Sequence, residues 1–477
     1  VLTGREAVSL DSAYRTVTAR NLISGESENY TYDELIITVG ASAVLPPIDG
    51  ITLPGVFKMR TPDDAVELRS YLERISAKSA VIIGAGFIGL EVADNLFEKG
   101  IQITVIDSAD QIMPGVLDSE LADYVRRTLT KKGIRFITGV RADKIIGTDR
   151  AEGVSTPYGI LEADIVVSAA GIRPNTDFLD DSGLEMDRGA IKIDDQLRTN
   201  LPHVYAAGDC AMVTNRITGM PQWSPMGSSA NMEGRTLAQL LTGMDKHYPG
   251  VLGTGVVKLP GINCGRTGLG KLQAEEAGYD VETAVAVTDD KAHYYPDSSF
   301  FITKLIADKN THKLLGAQVI GPGAVDKMID IAVMGINMGA RLEDFENADF
   351  AYAPPFSTAI HPFVQAVLIL LNKLDGDLDS FTPAQYAAGE ADGYRVIDAS
   401  PTPSLRGAEW IDLTKVAGPV GGLDRNEKLL LVCAKGKRGY FLQRRLKAYG
   451  YKNTKVLEGA AFVNQVKIKN SGGAVSP

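Results

Sequence analysis

Cysteine is scarce in this chain, with Cys210, Cys264 and Cys433 the only three among 477 residues. So few thiols exclude a disulfide-stapled scaffold, and each has to be judged by its own surroundings. Long apolar runs are also missing. The longest, near "FVQAVLILL", is too short to span a bilayer, and the first residues carry no basic-then-apolar signal pattern. Positive charge is in deficit, with 49 Lys and Arg against 59 Asp and Glu and a formal net charge of −10, which disfavours nucleic acid as the main partner. These shortages predict a cytoplasmic protein with neither a membrane nor a nucleic-acid partner, and no metal site is expected.

Glycine, by contrast, is plentiful. With 49 glycines, 44% hydrophobic and 23% charged residues, the chain has an ordinary α/β composition rich in tight turns, and its length calls for three or more units. The opening stretch "REAVSLDSAYRTVTARNLISGESENYTYDELIITVGAS" alternates apolar and polar residues around Gly25, predicting a hairpin meander followed by the buried strand "ELIITVG". Further on, "VYAAGDCA" runs a strand into a glycine turn beside Asp209, where a carboxylate is placed to accept hydrogen bonds from a chain of hydroxyls. No glycine-rich phosphate turn lies ahead of it in the expected early position.

One such turn comes later than expected. In "SAVIIGAGFIGLEVADNLFEKGIQITVIDSAD" a buried strand, Ala80 to Ile83, enters Gly84-x-Gly86-x-x-Gly89, a helix follows, and a second strand ends at Asp107. The glycines allow a tight turn, close backbone approach to a pyrophosphate and close helix packing, while the helix amino end attracts the phosphate charge. Asp107 stands 23 residues after Gly84, where its carboxylate suits a ribose 2′-hydroxyl and would repel a 2′-phosphate, so NADH is favoured over NADPH.

The order "LIITVGASAVLPPIDG", "GAGFIGLEVA", "VVSAAGIRPNT", "TNLPHVYAAGDCA" resembles the FAD- and NAD-dependent pyridine nucleotide-disulfide oxidoreductases over about four-fifths of the chain. The resemblance implies a Rossmann-like, two-dinucleotide-binding flavoprotein fold of the α/β class, in which the NAD fingerprint is the second of two. It also implies that the first βαβ unit is missing here, with the flavin pyrophosphate turn and the redox cysteine near it, so that this chain alone should hold FAD poorly. By the same resemblance Thr38 and Gly40 edge the FAD site, Asp209 holds the ribityl chain, and Gly208 lets the backbone approach the flavin. Around NAD it assigns Gly84, Gly86, Ile88 and Gly89 of the fingerprint, Phe87 as an aromatic gate over the nicotinamide, Glu91 behind it, and Gly171 as a close-approach glycine. Cys210 and Cys264 read as structural.

In the middle of the chain "FFITKLIAD" and "KLLGAQVIG" predict a hairpin around "KNTHK". Met328, Ile331, Met334, Ile336 and Met338 fall near helical spacing and read as core, with part of that face meeting a second subunit if this is the family's dimerisation domain. "YAPPFS" resembles the coenzyme A-disulfide reductase and NADH oxidase branch, in which a Tyr, here Tyr352, reaches the thiol site of the other subunit. His361 of "AIHPF" is either a proton shuttle or a cap on a proline turn; Ala366 stands where the orienting Glu of related sequences would be.

"LDGDLDSFTPAQYAAGEADG" is turn-rich and acidic, and is expected as a linker. Beyond it the strand "LLLVC" ends on Cys433, and Cys433-x-x-Gly436-x-Arg438 leads into a helix, so that turn amides, the helix amino end and Arg438 favour a thiolate or persulfide on Cys433. This resembles the rhodanese active loop, although "GY" follows the Arg, "LEGA" replaces a paired glycine, and "LRGAEWIDL" replaces the upstream His-Ile-Pro-Gly pattern. Lys435, Lys437, Arg444, Arg445 and Lys447 make the segment basic, either as a solvated face or as an attractor of anionic sulfur carriers or coenzyme A phosphates.

The expected organisation is FAD-binding domain (1–58 and 173–250), NAD-binding domain (59–172), α+β dimerisation domain (251–372), linker (373–392) and rhodanese-like domain (393–477). The expected activity is an NADH-dependent flavoprotein reductase of coenzyme A-disulfide or persulfide type, a homodimer acting on a small disulfide or persulfide. An NADH oxidase is the nearest rival, and a non-catalytic NAD-binding dimer scaffold the rival of another class.

Overall fold

A computed structural model describes residues 1–468. The described residues form two compact units, one of Val1–Gly84, Ile101–Ile106 and Val140–Gly253, the other of Ala85–Gly100, Asp107–Gly139 and residues 254–468. The division runs through the fingerprint stretch, so the segment 59–172 contributes to both.

In the first unit the strands Arg5–Asp11, Thr16–Asn21 and Ser27–Thr31 form the predicted antiparallel meander. Leu35–Ile37 then pairs in parallel with Val204–Ala206, with Ile37 opposite Ala206. The strand expected to be buried is only half so: Ile37 is 5% exposed but Ile36 is 43% exposed, because alternate side chains of a strand face opposite ways and one face here meets the core. That core gathers Leu10, Ile37, Leu179, Ile191, Val204 and Cys210, in keeping with the packing reading of Cys210. A parallel sheet carries Val56–Lys58, Ile165–Ser168, Ser79–Ile83 and Gln102–Asp107 in that order. Its central strands are nearly continuous buried Ile and Val, as a sheet covered on both faces requires.

In the second unit an antiparallel sheet runs Gly255–Leu259, Ile262–Gly268, Leu314–Gly321, Phe300–Asp308, Val281–Asp289, the predicted hairpin being its third and fourth strands. The helices Val325–Asn337 and Pro362–Leu374 pack on it through Met328, Ile329, Phe363 and Val367. The methionine stripe is not all core. Met328 is buried, but Met334 is 57% and Met338 78% exposed, since Met334 falls on the opposite side of the helix and Met338 follows its last turn.

The stretch 373–392 is not a linker. The helix Pro362–Leu374 extends into it, Ser380–Phe381 pairs in parallel with Thr454–Leu457, and Pro383–Ala387 is a short helix with Thr382 and Gln385 as a capping box. The glycine and acid content that suggested a linker belongs to tight turns between these elements. With them the C-terminal part forms a parallel sheet in the order Ser380–Phe381, Thr454–Leu457, Leu429–Val432, Arg395–Asp398, Glu409–Trp410, and the helix Lys437–Ala448 packs on it. This part is tied down by buried charge. Glu458, 4% exposed, accepts from Ser380 Oγ (2.6 Å), Val285 N–H (2.8 Å) and Lys373 Nζ (2.9 Å), and Lys373 also pairs with Glu282 at 3.0 Å.

Candidate functional site

The fingerprint forms at the carboxyl ends of adjacent parallel strands. Gly84, at φ +112°, donates its N–H to the Ile106 carbonyl at 2.8 Å, and a Cβ there would come 2.2 Å from the Ala169 carbonyl oxygen, so only glycine makes this turn. Gly86 caps the helix Phe87–Glu98 from an extended conformation, and a Cβ on it would meet nothing within 4 Å, which leaves the helix amino end clear. Ile88 and the buried Gly89 lie in that first turn. Asp107 accepts Ala85 N–H on one carboxylate oxygen (2.6 Å) and Ala109 N–H on the other (2.8 Å), each oxygen keeping a lone pair for a further donor. The half-buried Phe87 ring lies against Gly255, whose Cβ would sit 3.1 Å from it. Burial pushes the Glu91 carboxyl up from its ordinary value, and the charge of Asp94 one turn along adds to that. Gly171, at φ +122°, has open space where a side chain would be.

A second turn pair lies wholly in the first unit. Because Leu35–Ile37 and Val204–Ala206 are parallel neighbours, Thr38–Gly40 and Gly208–Asp209 leave the same end of the pair, the crevice position where open α/β sheets bind ligands. Asn175 braces the first turn, donating its side-chain amide to the Val39 carbonyl (2.9 Å) and its N–H to the Gly40 carbonyl (3.0 Å). Asp209 is paired with Arg60, whose Nε also holds the Ala41 carbonyl at 3.0 Å, and Trp223 Nε1 donates to the Asp209 carbonyl at 2.8 Å.

Two participants escaped the sequence reading. Arg60 lies 149 residues from its partner in an unremarkable turn, and no local signal marks it. Glu233 had one. The helix Gly227–Leu241 buries Ser229, Glu233 and Leu237, a stripe four residues apart that would ordinarily be apolar throughout. Glu233 is 1% exposed and its Oε2 accepts the Gly208 N–H at 2.6 Å. Burial raises its carboxyl to about 7, opposed by the Gly208 bond and assisted by the charge of Asp209.

In the second unit Tyr352 is 51% exposed, in a stretch with neither helix nor strand. His361 is 6% exposed, and its Nδ1 accepts the Phe363 N–H at 3.2 Å as the amino-terminal cap of Pro362–Leu374. Burial lowers its pKa to about 4, with Lys327 assisting, so the ring is neutral at pH 7. The cap geometry is therefore present.

Cys433 ends the strand Leu429–Val432 and is 3% exposed; its Sγ receives the Gly436 N–H at 3.1 Å, and Gly436, at φ +97°, opens the helix Lys437–Ala448. The amide half of the expected cradle is in place. Arg438 is turned elsewhere, with Nε on the Ala399 carbonyl (2.8 Å) and the guanidinium 3.8 Å from Asp412, stronger acceptors than a neutral thiol. The basic face is largely neutralised too: Lys435 pairs with Asp289, Arg444 with Asp377, Lys447 with Asp379, and Arg445 caps the Leu413 carbonyl. Cys210 and Cys264 are fully buried with raised pKa values, burial being the leading cause in each. Among the described residues no cluster of side chains fits a metal ion, and no helix is long and apolar enough to cross a membrane.

A glycine fingerprint with its acidic partner, and a glycine-aspartate turn at a second pair of parallel strand ends, define a dinucleotide-dependent oxidoreductase. The chain belongs to the pyridine nucleotide-disulphide oxidoreductase family, whose model matches residues 1–230, with the family's dimerisation domain at 256–363. It is similar to an NAD(P)H coenzyme A polysulfide/persulfide reductase of Pyrococcus horikoshii (34% identical, over 76% of this chain and 81% of the relative). An NADH oxidase of Methanocaldococcus jannaschii is 31% identical over 78% of this chain and 83% of its own. Among solved structures, an NAD-dependent persulfide reductase from A. fulgidus superposes with a TM-score of 0.91 at 33% identity, covering 97% of this chain and 85% of that one. FAD and a nicotinamide dinucleotide are accordingly the cofactors. The residues fit both: the clear helix end and spare acceptors of Asp107 suit a dinucleotide, and the side-chain-free Gly40 turn beside Asp209 suits a flavin's hydroxylated arm.

Proposed function

We propose that this chain is an NADH-dependent flavoprotein reductase of coenzyme A disulfides or persulfides, working as a homodimer, with a rhodanese-like C-terminal domain that carries sulfane sulfur on Cys433. The observation that carries the sulfur reading is the Cys433 turn: a strand-end thiol receiving the Gly436 N–H at 3.1 Å at the mouth of a twelve-residue helix. Bound flavin supplies the passage of electrons from the nicotinamide to sulfur. The residues of the chain do the rest. The Gly84–Gly89 turn takes the dinucleotide pyrophosphate and Asp107 its ribose, Phe87 and Glu91 line the nicotinamide side, and Thr38, Gly40, Gly208 and Asp209 border the flavin. At Cys433 the Gly436 amide and the helix amino end stabilise negative charge on sulfur, whether thiolate or terminal persulfide. Arg438 positions the loop through Ala399. Tyr352, exposed at 51%, is free to reach a partner's site, whereas His361, buried with its pKa lowered to about 4 and its Nδ1 accepting the Phe363 N–H, is a weak proton acceptor and acts as a helix cap. The exposed Met334, Met338, Phe356 and Ile360 supply the apolar surface for that second subunit.

The test is sulfur transfer from thiosulfate or polysulfide by wild type, Cys433→Ser and Arg438→Ala. The expected result is abolished transfer in Cys433→Ser and reduced transfer in Arg438→Ala; equal transfer by all three removes the sulfur-carrying role.

A further inference from the structure

The buried carboxyl of Glu233 has no place in the family assignment above, yet it touches the turn that presents Asp209. Gly208, in the left-handed region at φ +80°, lies past the end of the Val204–Ala206 ladder, and its N–H is bonded to a side chain and not to a strand. A partly buried backbone donor of this kind needs an acceptor, or the turn carries the cost of an unmade bond. In the neighbouring strand the Ile37 carbonyl already accepts Ala207 N–H (3.1 Å) and the Cys210 thiol (3.5 Å). Glu233 reaches in from the helix Gly227–Leu241 and its Oε2 meets Gly208 N–H at 2.6 Å, from a side chain 1% exposed. Burying a carboxyl at that depth is unfavourable, and a Leu would fill the stripe between Ser229 and Leu237 without that penalty. A carboxyl buried against its solvation cost, with its oxygen on the backbone N–H of the residue before Asp209, serves that turn.

We propose that Glu233 is a positioning residue of the flavin site: by accepting the Gly208 N–H it holds the left-handed turn that points the Asp209 carboxylate at the ribityl hydroxyls. The inference rests on the reading of Asp209 as the ribityl partner. What matters is the reach of the oxygen, since a carboxylic acid, a carboxylate and a carboxamide all accept through C=O. Glu233→Gln therefore keeps the function while removing the charge. Glu233→Asp keeps the charge but withdraws the oxygen by about 1.5 Å, one carbon–carbon bond, and breaks the contact.

The experiment titrates FAD into flavin-depleted protein and reads flavin fluorescence, with NADH binding measured alongside, for wild type, Glu233→Gln, Glu233→Asp and Asp209→Ala. The expected result is FAD affinity within twofold of wild type for Glu233→Gln and lowered by about tenfold for Glu233→Asp, the size of one buried donor left unmet, with NADH binding unchanged in both. Asp209→Ala should lose at least as much as Glu233→Asp. If Asp209→Ala binds FAD as wild type does, the reading of the flavin site itself fails. If Asp209→Ala loses affinity while Glu233→Asp does not, or while Glu233→Gln loses as much as Glu233→Asp, the positioning role of Glu233 is overturned and the flavin site stands.

Discussion

Glu233 occupies a position where helix patterning calls for a hydrophobe, and the same burial that makes it useful makes it sensitive to pH. Its folded value, about 7, lies above the ordinary 4.5, so between these values the folded protein keeps a proton that the unfolded chain has released. Stability from this group is therefore fully present below about pH 4.5 and declines as pH rises to about 7, by about 3 kcal/mol at most. Subtracting the urea unfolding free energy of Glu233→Gln from that of wild type across this range should give a difference that falls with pH; a flat difference would show that the carboxyl does not titrate there. Asp107 is the other residue whose role is open to direct test. Both its oxygens already hold backbone N–H groups, at 2.6 and 2.8 Å, and fix its orientation toward an incoming hydroxyl. Asp107→Ala should narrow a preference for NADH over NADPH by about tenfold or more, as one lost charge-assisted bond and one lost repulsion imply. Steady-state kinetics with both donors decide it, and a wild-type preference for NADPH contradicts the assignment. Asp107 was legible because strand, glycine turn, helix and strand fix its place by counting. Glu233 was hidden because its partner is a backbone amide, which no side-chain pattern announces, although its spacing from Ser229 and Leu237 hinted at burial.

Among the elements, the turn at Gly84 and the attachment of the C-terminal sheet make the sharpest demands. A methyl group on Gly84 would meet the Ala169 carbonyl oxygen at 2.2 Å in a backbone region closed to other residues, so Gly84→Ala should destabilise the fold by about 1–3 kcal/mol and abolish NADH binding. Calorimetry and dinucleotide titration test the two effects together, and an Ala variant that still binds NADH as wild type does would contradict the geometry. Lys373 lies between Glu282 (3.0 Å) and Glu458 (2.9 Å), and removing it strands two carboxylates, one of them 4% exposed. Lys373→Met should cost about 3–5 kcal/mol, the usual result of breaking one side of a buried pair. Trp410, on the strand Glu409–Trp410, gives a fluorescence signal for that loss in urea, and an unchanged midpoint would mean that the pair adds nothing. Element types were mostly readable from period: the opening meander, the fingerprint helix and the hairpin at Phe300–Gly321 follow their patterns. The stretch 373–392 misled because strand Ser380–Phe381 is two residues long and is defined by its distant partner Thr454–Leu457, which no local window contains.

At the scale of the whole molecule the proposed function joins a reductase to a sulfur carrier. Its dinucleotide half was plain in the sequence, because glycine turns and their acids are local. The pairing of Arg438 with Asp412 and Ala399 was not, because it depends on where a separate strand ends. If the exposed Met338 (78%) and Phe356 (74%) lie in the proposed subunit interface, Met338→Lys with Phe356→Lys should shift sedimentation from dimer toward monomer at micromolar concentration. A dimer unaffected by both would place the interface elsewhere. The central claim is that NADH is spent on sulfur and not on oxygen. The most direct test is anaerobic NADH oxidation by the flavin-loaded protein with coenzyme A persulfide as acceptor, followed at 340 nm with sulfide measured in parallel and an oxygen-only reaction beside it. The account predicts one sulfide per NADH, with oxygen turnover at least tenfold slower. Rapid NADH consumption with oxygen and none with persulfide would contradict it and give the chain to the oxidases.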